Sequence, residues 1–384
     1  MRASPPPAGP HHPFATAGTP TVAFEHLPGL DGLRGIAILL VIWHHAPHIF
    51  APGNAIYDGW FWRASASGWM GVDLFFVVSG FLITSILLRT RERHDQLRVF
   101  WIRRALRILP LAYLYLFVLM GAAFSGADLD ELKNPRVAFM YFFYLANLRI
   151  AAGGWPAGEL AILWSLAIEE QFYAAWPLAV RRLSVSALLW VCGGLILSAP
   201  FVRWWVFDSH GSVATFVFTF CRVDALAAGA ALAVLAQGRF RAPALAACRA
   251  LAAPAVLVLV ALCALPFGPS YPGHAPRLLS VLGYSLVALA FVCLVGVAVQ
   301  PGRWARRVVT SRVLMWFGQR CYGLYLWHYF VGSTLYRMLG PASPRPLGYY
   351  GSVAVWLAAT MLVATLSWSL FEAPFLRLKR RFAA

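Results

Sequence analysis

Apolar runs long enough to cross a bilayer recur along almost the whole chain, and this feature limits what it can fold into more than any other. Of its 384 residues, 60% are hydrophobic and only 12% are charged, about half the charge that a soluble domain usually carries. A span of hydrocarbon leaves no water to satisfy a backbone, so runs of this kind fold as transmembrane helices. The spans expected are 34–51, 71–88, 108–124, 163–180, 186–200, 213–236, 251–266, 278–299, 314–337 and 349–371. A further apolar piece, 137–150, is too short to cross and reads as re-entrant or interfacial. The fold expected is therefore an all-α polytopic membrane protein with about ten transmembrane helices.

Net charge is +17, from 32 Lys and Arg against 15 Asp and Glu. The basic residues form short clusters between apolar runs, which is a topology signal rather than the continuous patch a nucleic-acid partner would need. Segments 89–104, 181–182, 238–243, 302–312 and 377–381 are basic, whereas 125–132 and the loops near 52–68, 201–212 and 267–276 carry few positive charges. The two kinds alternate if 137–150 does not cross. The positive-inside rule then puts both termini in the cytoplasm. Residues 1–28, rich in Pro, Ala, Gly and Thr, lack the pattern of a signal peptide and read as a disordered cytoplasmic tail. Residues 29–381 read as one membrane domain. The six cysteines include no C-x-x-C pair and read as small core residues.

Ionisable residues are costly within a membrane, so each is a candidate for function. In LRGIAILLVIWHHAPHIF (33–50), His45 follows Arg34 by eleven residues. At 100° per residue that is three turns plus ~20°, which stacks the two on one helix face about 16 Å apart along the axis. His44 points away from Arg34, and Pro47 is expected to end or bend the helix. The HHxxH string at 44–48 is interrupted by that proline, and no metal is expected. Asp73 in GVDLFFVVSGFL (71–82) opens the second span, where it could favour the helix dipole or orient a histidine. Ser79 and Gly80 are small enough for close helix packing. Arg103, Arg104 and Arg107 gather at the mouth of the third span, where they could clamp phosphates. LWSLAIEEQFY (163–173) buries Glu169 and Glu170 in an apolar helix. Arg222 and Asp224 lie on different faces of one span, so each needs a partner on another helix. His328 sits mid-span, and Glu372 reads as part of a basic cytoplasmic end signal.

Taken in order, GLDGLRGIAILLVIWHH, GVDLFFVVSGFL, FWIRRALRILP, LWSLAIEEQFY, RVDALAAGAAL, YGLYLWH and FEAPFLRL resemble the acyltransferase-3 family of bacterial integral-membrane O-acyltransferases. The resemblance runs from about Pro28 to Arg381. It implies transfer of an acyl group, most often acetyl, from cytoplasmic acyl-CoA to a hydroxyl of a glycan, a lipid-linked sugar or a macrolide sugar, in the bacterial cytoplasmic membrane. Acyl-CoA would be a cosubstrate, with no tightly bound cofactor. The family's arginine-x10-histidine motif falls on Arg34 and His45, its aspartate on Asp73, its R-x-x-R motif on Arg104 and Arg107, and its glutamate on Glu169 rather than Glu170. Some members carry a fused SGNH-type domain. This chain is expected to be the stand-alone form, with a separate periplasmic acyltransferase as a possible partner.

The expectations for the site follow. Arg34, Arg104 and Arg107 bind the donor. His45 is the general base, oriented by Asp73 or Glu169, or else an acyl group passes first to a side chain. The rival reading from the same intramembrane His, Asp and Glu set is a proton-coupled transporter.

Overall fold

A computed structural model describes residues 28–50, 65–264, 276–300, 307–339 and 348–379. The reading of residues 1–28 as a tail falls almost wholly outside them. Every regular element among the described residues is a helix.

The helices are α1 (Pro28–Phe50), α2 (Met70–Arg89), α3 (Gln96–Phe124), α4 (Pro135–Phe142), α5 (Ala146–Gly153), α6 (Gly158–Ala161), α7 (Leu163–Arg182), α8 (Val185–Val217), α9 (Thr219–Leu235), α10 (Arg241–Ala264), α11 (Tyr284–Ala298), α12 (Arg312–Gln319), α13 (Cys321–Leu339), α14 (Gly348–Ser367) and α15 (Ala373–Lys379). Most expected spans fall on one of them, but 213–236 is broken at Phe218 between α8 and α9, and 314–337 at Arg320 between α12 and α13. Among the described residues, seven helical stretches are long and apolar enough to cross a membrane, and they contain α1, α2, α3, α8, α10, α11 and α14. The other three expected spans fall on α7, α9 and α13. These helices carry Glu169 and Glu170, Arg222 and Asp224, and His328.

At the centre, α2 packs against α1 and α9 and is enclosed on most sides, whereas α10 lies at the periphery against α11 and exposes most of its surface. Close approach of α2 and α9 rests on two reciprocal glycines. A Cβ on Gly80 would lie 2.0 Å from the Leu226 carbonyl oxygen, and one on Gly229 would lie 2.1 Å from that of Val77. Small residues of this kind let helix backbones touch within a membrane. Gly80→Val should push α2 from α9 and lower the thermal stability of the detergent-solubilised protein, with a cost of about 1–3 kcal/mol or more. The same change at Gly193, where nothing lies within 4 Å of an added Cβ, should leave the melting temperature unmoved.

The short apolar piece forms α4 and α5, of eight residues each. At 1.5 Å per residue each is ~12 Å long, well under a hydrocarbon thickness of ~30 Å. Asn134 caps α4 by accepting from the Arg136 amide at 3.0 Å, with Pro135 in the first turn. The break between the two helices holds Tyr144 at φ 56°, a left-handed conformation that a non-glycine side chain adopts at some cost. Gln171 of α7 secures it by donating to the Tyr144 carbonyl at 2.9 Å and to Asn147 Oδ1 at 3.0 Å. Thr219 Oγ1 donates to Gln171 Oε1 at 2.5 Å, and Asn147 Nδ2 donates back to Thr219 at 2.9 Å. Irregular backbone survives at membrane depth only when its polar groups are satisfied in this way.

Two expectations are corrected here. Of the two outcomes expected of Pro47, an end to the helix is not seen, since α1 runs on to Phe50. Most of the stretch 201–212 is not a loop either. The helix that begins at Val185 runs through it to His210 and breaks at the non-helical Gly211 (φ 80°), and a short helical piece then reaches Val217. A second break follows at Phe218, an extended residue before α9.

Candidate active site

Two cavities meet inside the bundle. The inner one has about 680 Å³ of space between atoms, part of it open to the surroundings, and is lined by Arg34 of α1, Ser79 of α2, Arg104 and Arg107 of α3, Glu169 and Tyr173 of α7, and Cys321 and Tyr322 of α13, among others. The outer one has about 400 Å³ of space between atoms, part of it open to the surroundings, around His44 and His45, with Trp69, Trp155, Trp164 and Phe216 as its aromatic walls. Val72 and Tyr325 line both, so the cavities adjoin at these two side chains. Arg34 of α1 opens onto the inner cavity and His45 of the same helix onto the outer. His44, which the phase sets aside, lines the outer cavity as well.

The three arginines reach the inner cavity from two helices. Arg34 pairs with Asp31 one turn earlier at 3.6 Å. Arg104 lies over the Tyr173 ring, 4.0 Å from its centroid, and its buried Nε has no hydrogen-bond partner. Arg107 lies among the charges of Arg34, Arg104 and Glu372. Glu372 is therefore more than an end signal. It is buried, and Gly323 makes room for it: a Cβ there would lie 2.9 Å from Glu372 Oε1. Glu169 Oε1 accepts from Ser79 at 2.7 Å. Three cations facing one hollow suit an anionic guest.

At the outer cavity the carboxylates are not where a triad would put them. Asp73 Oδ1 accepts from Arg222 Nη2 of α9 at 2.7 Å, and both side chains are fully buried. No hydrogen bond joins Asp73 or Glu169 to a histidine among the described residues. The ring partner of His45 is His328 of α13, with Nε2 3.1 Å from His45 Nδ1. His45 Nδ1 is also 2.9 Å from the Val41 carbonyl oxygen. On the far side, His328 Nδ1 faces the carbonyl oxygens of Tyr325 at 2.6 Å and Leu324 at 3.2 Å. Trp356 fixes the backbone there by donating to the His328 carbonyl at 2.7 Å. His44 has Nδ1 3.0 Å from the Ser65 carbonyl oxygen, and its ring lies against those of both His45 and His48, with centroids 5.1 and 5.0 Å away.

Arg222 and Asp224 each find the partner on another helix that their spacing demands. The Arg222 guanidinium lies 4.2 Å from the Tyr284 ring centroid and 4.9 Å from that of Phe216, so the Asp73–Arg222 pair braces the aromatic wall of the outer cavity. Asp224 pairs with Arg203 of α8 at 2.9 Å. Arg203 sits in the stretch expected to be a loop, and its only forewarning was the unpaired aspartate opposite.

The chain is similar to the peptidoglycan O-acetyltransferase OatA of Listeria monocytogenes, with 29% identity over 368 residues, covering 91% of this chain and 56% of the relative. It is 30% identical over 381 residues to YrhL of Bacillus subtilis, which is assigned provisionally to peptidoglycan O-acetylation, covering 91% and 55% of the two chains. A provisionally assigned O-acetyltransferase of Staphylococcus aureus (strain COL), SACOL0978, is 27% identical over 377 residues, covering 91% and 57%. The chain thus spans a little over half the length of the curated relatives it matches. No solved structure matches it significantly. The family model described as an acyltransferase domain matches residues 27–372, and the chain belongs to that acyltransferase family.

Proposed function

We propose that the protein is a membrane O-acyltransferase. It would take an acyl group, acetyl in the first instance, from acyl-CoA in the inner cavity and pass it to a glycan hydroxyl in the outer one. The observation that carries this reading is the junction at Val72 and Tyr325, with three arginines on one side of it and His45 on the other. The donor's phosphates pair with Arg34, Arg104 and Arg107. Its pantetheine arm, on the order of the ~16 Å between Arg34 and His45, carries the thioester to the junction. His45 Nε2 takes the proton of the acceptor hydroxyl. The oxygen attacks the thioester carbonyl, the C–S bond breaks, and the departing sulfur recovers the proton from His45. Indole and phenyl faces at the outer cavity suit the apolar face of a sugar ring, and the activity named for the Listeria relative points to a cell-wall glycan.

The basic connections argue for an inner cavity open to the cytoplasm, with both termini on that side and about ten spans across a bacterial cytoplasmic membrane. Glu169 belongs to the donor side of the site in this reading. Asp73 acts through Arg222 on the acceptor side.

Inverted vesicles loaded with a soluble peptidoglycan fragment and given labelled acetyl-CoA from outside test the reading. Covalent label on the fragment is expected, and solute flux without label would favour the carrier instead. Arg104→Ala with Arg107→Ala should raise KM for acetyl-CoA at least ~10-fold, since a charge-assisted contact is worth ~1.5–3 kcal/mol, while kcat changes little. Cys321 supplies a check that needs no turnover, because it lines the same cavity. In a variant keeping Cys321 as its sole cysteine, acetyl-CoA should slow alkylation by an impermeant maleimide added from the cytoplasmic face. Unchanged alkylation would count against donor binding there.

A further inference from the structure

The hydrogen bonds around His45 run in one direction, and that direction selects its reactive nitrogen. Backbone carbonyl oxygens only accept. His328 Nδ1 faces two of them, at 2.6 and 3.2 Å. A lone pair there would meet lone pairs, so Nδ1 carries the hydrogen and the lone pair of His328 lies on Nε2. That atom is 3.1 Å from His45 Nδ1, so it accepts, and His45 Nδ1 donates. The Val41 carbonyl, 2.9 Å from the same nitrogen, independently demands the same hydrogen. No carboxylate is bonded to either ring among the described residues, and neutral rings meet every one of these contacts. His45 is left with its free lone pair on Nε2, the nitrogen on the opposite edge of the ring.

We propose that His328 is a positioning residue for the acyl transfer. It shares the His45 Nδ1 hydrogen with the Val41 carbonyl in a three-centre bond, and the two acceptors together hold His45 in the tautomer whose Nε2 can take a proton from a hydroxyl in the outer cavity. His328 does for His45 what a carboxylate does for many catalytic imidazoles. The difference is that it adds no charge to a span where an extra carboxylate would be costly. When Nε2 takes the hydroxyl proton, the positive charge forms on His45 while Nδ1–H stays donated to His328. The proton then leaves Nε2 for the thiolate sulfur, and His328 ends the cycle as it began. Its own setting is rigid: the side chain is fully buried, and Trp356 holds the backbone at that residue.

This inference rests on the reading of His45 as base, so the test has two arms. The first is nitrogen-15 solid-state NMR of the full chain in bilayers, with histidine labelled and His45 and His328 assigned by substitution. Both residues are expected as the Nδ1–H tautomer, with a cross-peak between His45 Nδ1 and His328 Nε2. A His45 carrying its hydrogen on Nε2, or the absence of the cross-peak, would overturn the proposal. This arm holds even if the wild type transfers no acetyl, which would sink the function reading alone. The second arm is kinetic, with labelled acetyl-CoA and the peptidoglycan fragment. His328→Leu should lower kcat by ~10²-fold or more, with KM for acetyl-CoA within ~3-fold of wild type. His328→Gln, whose amide oxygen can accept the same hydrogen, should restore kcat to within ~10-fold. A leucine variant with wild-type kcat, or a glutamine variant no better than leucine, would refute the positioning role.

Discussion

His45→Ala is expected to lower acyl transfer by ~10²–10⁴-fold, the span typical of a lost general base, or about 3–5.5 kcal/mol of barrier. The protein should remain folded and should still bind the donor, since the arginines lie in the other cavity. His44→Ala is expected to cost ~10-fold or less, because removing a wall of a pocket that still holds its base weakens positioning rather than proton transfer. Both histidines line the outer cavity, so the expectation rests on what surrounds each. His45 touches His328 and lies beside Tyr329, on the helix that brings Tyr325 to the junction of the cavities. His44 turns to the Ser65 carbonyl and to His48. Transfer of label in the vesicle assay reads both variants. Full activity in His45→Ala, or loss confined to His44→Ala, would reassign the base.

Arg203→Leu should destabilise the bundle by ~3–5 kcal/mol, because it leaves Asp224 buried without its cation. The arginine's hydrogen bonds are extensive. Nε donates to the Val281 carbonyl at 2.8 Å, Nη1 to the Cys221 carbonyl at 2.7 Å and to Asp224 Oδ2 at 2.9 Å, and Nη2 to Ser285 Oγ at 2.5 Å. Ser285 Oγ in turn donates to Asp224 Oδ2 at 2.7 Å. One guanidinium thus ties α8, α9 and α11 together. The loss should appear as a lower melting temperature and a smaller monodisperse fraction in detergent, with kcat per folded molecule little changed. The Asp73–Arg222 pair is built differently. Arg222 Nε and Nη1 and Asp73 Oδ2 have no hydrogen-bond partner, and aromatic faces surround the cation instead. Asp73→Asn should therefore disturb the acceptor wall and lower kcat/KM for the glycan as well as stability.

These residues mark how far the sequence could be read. Relations within one helix follow a fixed angle per residue, so Arg34 and His45 were legible as a stacked pair, and the Arg104–Arg107 step as one mouth. Relations between helices follow packing, which has no period. His328 lies 283 positions from His45, whereas Asp73, in the very next span, reads as the nearer partner. The polar stretch 201–212 read as a loop because Arg203, Asp208, Ser209, His210 and Gly211 are poor company for lipid. A buried aspartate on α9 makes the arginine welcome, and the helix continues. Glu372 read as a basic-tail companion, yet the π-helical turn Trp368–Glu372 ends at this buried carboxylate, a local distortion that apolar periodicity does not announce. Glu169 and Glu170 on α7 and His328 on α13 lie in helices that do not register as membrane spans, whereas α1 and α3 carry Arg34, His45, Arg104 and Arg107 and still do.

The most direct measurement is an experimental structure of the protein in a bilayer mimetic with a non-hydrolysable acetyl-CoA analogue. The account places the phosphates against Arg34, Arg104 and Arg107, and the acyl carbonyl at the Val72–Tyr325 junction within reach of His45 Nε2. A donor bound elsewhere, or one whose acyl group points away from His45, would contradict it.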